Sequence, residues 1–166
     1  GMAEYIAQTA DWLDKIAPHF PDLPSVSLLI TNMPVDRLVG SGKSTLMLLD
    51  FTPDNTFLTP QGVKFIDPWP QSTYQGSFLP SIGQFDTLLR RVYDIKIDPE
   101  YDAMRNQVAN ALARHLGLTS EQGAAHLRLG AILQYALSAF VRLEDDENQA
   151  RQYYEQALSE VKKLVS

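Results

Sequence analysis

The chain has 166 residues, a length that fits one domain of the usual ~100–200 residues. It contains no cysteine, which excludes a disulfide framework, a thiolate metal site and a cysteine nucleophile. A net charge of −6 excludes a broad basic footprint for nucleic acid or an anionic membrane, and 45% hydrophobic residues with 20% charged ones is ordinary globular composition. The expectation is a cytoplasmic protein with neither a nucleic-acid nor a membrane partner. Gly1 ahead of Met2 reads as a cleavage scar from an expression tag.

The predicted elements fall into three stretches of a single domain, residues 2–24, 25–78 and 79–166. Tyr5, Thr9, Trp12, Leu13 and Ile16 recur at helical spacing, so residues 3–17 read as an amphipathic helix ended by Pro18. Pro18, Pro21 and Pro24 make an irregular, stiffened arm. The middle stretch reads as strand and loop. Val26–Ile30 and Leu46–Phe51 are short apolar runs. Phe57–Thr59 and Val63–Ile66 flank Pro60-Gln61-Gly62 and predict a hairpin. Residues 67–80 read as an ordered loop.

The last stretch is helical. Ser81 with Gln84 predicts a capping box ahead of the stripe Ile82, Phe85, Leu88, Leu89 and Val92. Asp98-Pro99 predicts a second helix start, and Gly117 its end. Thr119 with Gln122 opens a helix that is apolar almost all round from Leu127 to Val141. That run is interrupted by Gln134 and Ser138, and it reads as a central core helix rather than the ~20-residue membrane span. Glu144–Glu147 and Lys162-Lys163 mark the two ends of the last helix. The fold class is therefore α+β, a mainly helical body with a small β-hairpin region.

Two motifs bear on chemistry. Gly40-Ser41-Gly42-Lys43-Ser44-Thr45 looks like the end of a phosphate-binding loop. The glycine that must open that motif falls at Arg37, and a strand rather than a helix is predicted to follow, so the run reads as a turn between two strands. Asp50 and Asn55, spaced Asp-x-x-x-x-Asn, are followed by Asp67 at the far end of the hairpin. One carboxylate to take a hydroxyl proton, with an Asn oxygen and a second carboxylate on Mg²⁺, is the set that phosphoryl transfer requires. The same residues can also serve simply as turn formers, because Asp and Asn side chains bond nearby backbone N–H groups.

The run Leu48-Leu49-Asp50-Phe51-Thr52-Pro53-Asp54-Asn55, then Phe65-Ile66-Asp67-Pro68-Trp69, resembles the kinase-like small-molecule phosphotransferases of the aminoglycoside phosphotransferase, choline kinase and fructosamine kinase type. Their motif is His-Gly-Asp-x-x-x-x-Asn, a short hairpin, then Ile-Asp. The resemblance implies Asp50 as catalytic base, Asn55 and Asp67 as metal ligands, and Mg²⁺ with ATP as cofactors. Tyr74-Gln75-Gly76 and the helix from Ser81 look like the family's Tyr-Gly and Asp-Leu-Ala segments, the latter buttressing the catalytic loop. The family's His and Gly fall at Leu48 and Leu49, and the Asp of Asp-Leu-Ala at Ser81. The nucleotide-binding lobe has no counterpart, so the chain resembles a C-terminal lobe alone. Its uncovered face is then expected to be buried by self-association or a partner chain, with Trp12 and Phe20 as anchors. The alternatives are a non-catalytic kinase-like interaction module, and an α+β fold unrelated to kinases.

Overall fold

The computed structural model describes residues 1–33, 38, 40, 43–48, 51–66 and 73–166. The described elements are α1 (Met2–Ile16), α2 (Val26–Thr31), β1 (Thr45–Leu48), β2 (Thr56–Thr59), β3 (Gly62–Phe65), β4 (Thr73–Gly76), α3 (Leu79–Thr87), α4 (Pro99–Leu116), α5 (Ser120–Arg142) and α6 (Glu147–Val165). A π-helical segment, Leu88–Val92, extends α3. The fold is mainly helical α+β, as expected.

Helix α5 is the centre. It crosses α3, α6, α1 and α4, and its residues Leu129, Ile132, Leu133 and Ala136 are buried in the main core. By length and composition it could cross a membrane, but here more than half of it is inside the protein. Its start follows the sequence closely: Thr119 Oγ1 accepts from Gln122 N at 3.1 Å, and Gln122 Oε1 accepts from Thr119 N at 2.9 Å. At the α3–α5 crossing the two backbones approach closely. A Cβ on Gly130 would stand 1.8 Å from Pro80 O, and one on Gly83 would stand 1.9 Å from Leu127 O. Only glycine at both positions lets the two backbones touch. On the far side of α3, Leu79 and Ile82 meet Ala109, Ala113 and Leu116 of α4 in a smaller second core. Helix α4 has the expected ends: Asp98 Oδ1 accepts from Glu100 N at 2.7 Å, and Gly117 closes it at φ 69°. Met104 and Val108 lie on its exposed face.

Three expectations are corrected. Val26–Ile30 is helical, in α2, because Val26 and Ile30 lie one turn apart and both point into the α1–α6 core. An isolated apolar run of five residues has no period to tell helix from strand. Residues 73–76 form β4 instead of loop, paired antiparallel with β1 from Thr45–Gly76 to Leu48–Thr73. Helix α3 begins at Leu79, two residues before the predicted cap, so Ser81 is inside the helix and free for another role.

The N-terminal arm packs on the chain's own body. Phe20 is buried against Tyr154, with ring centroids 5.7 Å apart. Tyr154 Oη accepts from Val26 N at 3.3 Å and donates to Pro24 O at 3.2 Å, and Arg151 pairs with Asp22. Trp12 packs edge-on against Phe140, 5.0 Å away. Phe20 is thus a core residue and not an interface anchor. Burying its ring is worth about 1.5–3 kcal/mol within the fold.

Candidate functional site

Met47 of β1 is buried in the main core, and two further attachments of the β region to the helical body stand out among the described residues. The first is Ser81. From the third position of α3 its Oγ accepts from Leu48 N at 3.0 Å and donates to Leu48 O at 2.8 Å. A single hydroxyl thus satisfies both backbone groups of the last residue of β1, where the ladder ends. Thr45 Oγ1 accepts from Phe78 N at 2.9 Å and ties the other end of β1 to the start of α3. The second point is aromatic. The Phe51 ring lies 5.1 Å from Phe65, 5.1 Å from Phe78 and 4.9 Å from Phe85. It joins the segment after β1 to the end of the hairpin and to α3 together.

The hairpin turns where the sequence placed it. Thr56 pairs with Phe65 and Thr59 with Gly62, so the loop is the two residues Pro60-Gln61 and Gly62 belongs to β3. Gly62 sits at φ 113°, a conformation closed to other residues without strain. Asn55 ends a 3-10 turn, Pro53–Asn55, immediately before β2. Asn55 O accepts from Ile66 N at 3.0 Å, which adds one more bonded pair to the base of the hairpin.

Among the three sequence-predicted site residues, Asn55 is therefore at the hairpin base, half-buried, on the wall of a cleft. Asp50 and Asp67 lie outside the described residues. Of their chain neighbours, Phe51 meets Phe65 by ring contact, and Ile66 N donates to Asn55 O. Among the described residues, no group of three acidic or histidine side chains converges to hold a metal. The Gly-Lys-Ser run, of which Ser41 and Gly42 are not described, leads into β1 as expected. It follows α2, so it does not join two strands.

The cleft beside Asn55 has a volume of about 480 Å³, within the range of ~300–1,000 Å³ typical of small-molecule sites. Thr52, Asp54 and Asn55 form one wall. Gln84 of α3, Leu88 and Val92 of the π segment, and Gln134, Leu137 and Ser138 of α5 form the others. The π segment is real in its bonding, since Tyr93 N donates to Leu88 O, five residues back, at 2.9 Å. Such wide turns recur at functional sites. At the mouth, Tyr93 Oη donates to Asp54 Oδ2. That bond to the carboxylate, with partial burial, pushes the phenol up to about 12. His126 stands apart. Its ring bonds Leu38 O through Nε2 at 2.6 Å, and burial lowers its pKa, so the neutral ring donates and His126 is structural.

Sequence reasoning missed Ser81 and Gln84. It paired them as a capping box, whereas Ser81 bonds Leu48 across the fold and Gln84 is buried without a hydrogen-bond partner. The available signal was two polar residues, three apart, among Leu79, Ile82 and Phe85 in the first two turns of the helix. Comparison of the chain with protein-family models, with curated proteins and with solved structures gives no match.

Proposed function

We propose that this chain is a kinase-like phosphotransferase C-terminal lobe. In that reading Asp50 accepts the proton of a small-molecule hydroxyl, and Asn55 and Asp67 hold the Mg²⁺ of Mg-ATP. The observation that supports it best is the Ser81 clasp on Leu48. In the family that the motif resembles, the residue at the Ser81 position buttresses the catalytic loop. Here Ser81 binds both backbone groups of the residue two before Asp50. The closure of the hairpin base between Asn55 and Ile66 agrees with it, since it draws the chain entering the position of Asp67 toward Asn55.

The chemistry then divides between this chain and a nucleotide platform brought by another segment or another chain. An Asp at position 50 needs only hydrogen-bond reach to the acceptor hydroxyl to raise its nucleophilicity. Mg²⁺ between Asn55 and Asp67 would neutralise phosphate charge that the carboxylates of Asp50 and Asp67 would otherwise repel. On its own the chain is therefore expected to bind Mg-ATP weakly or not at all.

A second feature supports an incomplete lobe. Leu46, Leu58, Val63 and Ile66 are exposed, Leu58 to 87%, and all lie in β1 or the hairpin. Such side chains fit a contact with the platform-bearing partner, or, in the non-catalytic alternative, with a protein that this lobe only binds.

Mn²⁺ added in place of Mg²⁺ tests the metal site. Paramagnetic broadening of backbone NMR signals should centre on residues 55 and 66 and disappear in Asp67→Asn. Broadening that is absent, or that survives Asp67→Asn and Asn55→Ala, removes the catalytic reading and leaves the interaction module.

A further inference from the structure

Gln84 is fully buried, and neither its Nε2 nor its Oε1 has a hydrogen-bond partner. Gln134 is 6% exposed, and its Oε1 is also unpartnered. Its Nε2 is committed to Ser138 Oγ at 3.1 Å, which fixes the amide and leaves the carbonyl oxygen as the available group. Both glutamines line the cleft that also contains Asn55. Buried amides in folded proteins are almost always satisfied, and one left unpaired is unfavourable. Two in one cleft, on the helices α3 and α5 that cross there, mark a place where something else completes the bonding.

We infer that this cleft binds a neutral small molecule that offers an amide donor and acceptor together with hydroxyls on an apolar frame, the chemistry of an acetamido sugar. The proposal deepens the phosphotransferase reading by naming the class of its hydroxyl acceptor. Gln84 Nε2 is a donor for the ligand's amide C=O, and Gln84 Oε1 an acceptor for a neighbouring hydroxyl. Gln134 Oε1 is the acceptor for the amide N–H, which in a trans amide points away from the C=O. Leu88, Val92, Leu137 and Tyr153 supply apolar walls for the C–H faces of a ring. The charges on the cleft, Asp54 and Arg142, are opposite and sum to zero, and the Asp54 carboxylate already accepts from Tyr93. No net charge selects an ionic ligand. Asn55 on the same wall places a bound hydroxyl near the proposed metal.

The experiment is binding of N-acetylglucosamine to the full chain by saturation-transfer NMR and calorimetry, with no ATP or metal present. Glucose and glucosamine serve as comparison probes. N-acetylglucosamine should bind most tightly. Gln84→Met should weaken it by about tenfold or more while the apo protein melts at the same temperature or higher, because an unpaired amide has been removed. Gln134→Met should weaken binding in the same sense. Failure of N-acetylglucosamine to bind, equal binding of all three sugars, or unchanged affinity in both variants would overturn the proposal. So would a Gln84→Met protein that melts lower than the wild type or does not fold, since the amide would then be satisfied inside the fold. Because neither metal nor nucleotide is present, a negative result here leaves the Mn²⁺ experiment standing, and the converse also holds.

Discussion

The α3–α5 crossing and the β2–β3 hairpin are joined through the same helix, yet they are built on opposite principles. At the crossing, two glycines let backbone meet backbone, and the flanking side chains Leu129, Ile132 and Leu133 are buried. In the hairpin, four-residue strands leave Leu58 and Val63 in solvent, and the register rests on a two-residue turn. A packed core resists any change of volume, because its neighbours cannot move away. A two-stranded hairpin has little buried area of its own and draws its stability from what it is tied to. Here that is Phe51, whose ring meets Phe65, so the hairpin is held by point attachments, whereas β1 has both the Ser81 clasp and Met47 in the main core.

The largest expected effect breaks the rigid side of the comparison. Gly130→Ala places a methyl group 1.8 Å from Pro80 O, and relief requires the two helices to separate. The loss is expected to reach on the order of 3 kcal/mol or more, read from the chemical-denaturation midpoint. Should Gly130→Ala melt like the wild type, the crossing is looser than described.

Ser81→Ala comes next and acts on the tether. It leaves Leu48 N and O without their side-chain partner, at a cost of about 1–3 kcal/mol. The two regions should separate in hydrogen exchange: protection falls in β1 and β4 and persists in α5. Uniform loss of protection would mean that the β region and the body unfold as one unit.

A pH effect links the core to the segment around Leu38. Burial depresses the His126 pKa, against a smaller opposing effect of its bond to Leu38 O. The unfolded chain therefore binds the proton more readily than the folded one. The stability contributed by His126 is fully present above the ordinary histidine value of about 6.5 and is lost as pH falls below it. His126→Gln, which keeps a donor for Leu38 O, should flatten the denaturation midpoint between neutral and mildly acidic pH. An equally steep profile in the variant would assign the slope to other groups.

The smallest effect is expected at the hairpin tip. Leu58→Lys changes a side chain that is 87% exposed, so stability should move by no more than about 0.5 kcal/mol. Any self-association seen by light scattering should fall in the same variant. A large loss of stability would show that Leu58 is covered within the monomer.

Much of the helical body was legible in the sequence. The Thr119 and Asp98 caps, the Gly117 end and the apolar surround of α5 are local signals, each decided by a few neighbouring residues, and each appears where expected. The hairpin was legible for the same reason, because Pro60-Gln61-Gly62 punctuates two apolar runs. The tertiary structure alone decided that Val26–Ile30 is helical, since five apolar residues carry no period and the α1–α6 core supplied the missing preference. It alone decided that residues 73–76 pair with β1 instead of forming a loop, because strand pairing is satisfied by partners 25 to 31 residues away. Ser81 and Gln84 show the same limit at the candidate site. Their spacing matched a helix cap, a local use of two polar side chains. The fold starts the helix earlier, gives Ser81 to Leu48 and leaves Gln84 inside a cleft without a partner. Local spacing identifies which groups are polar, but only the packing of distant elements determines what those groups meet.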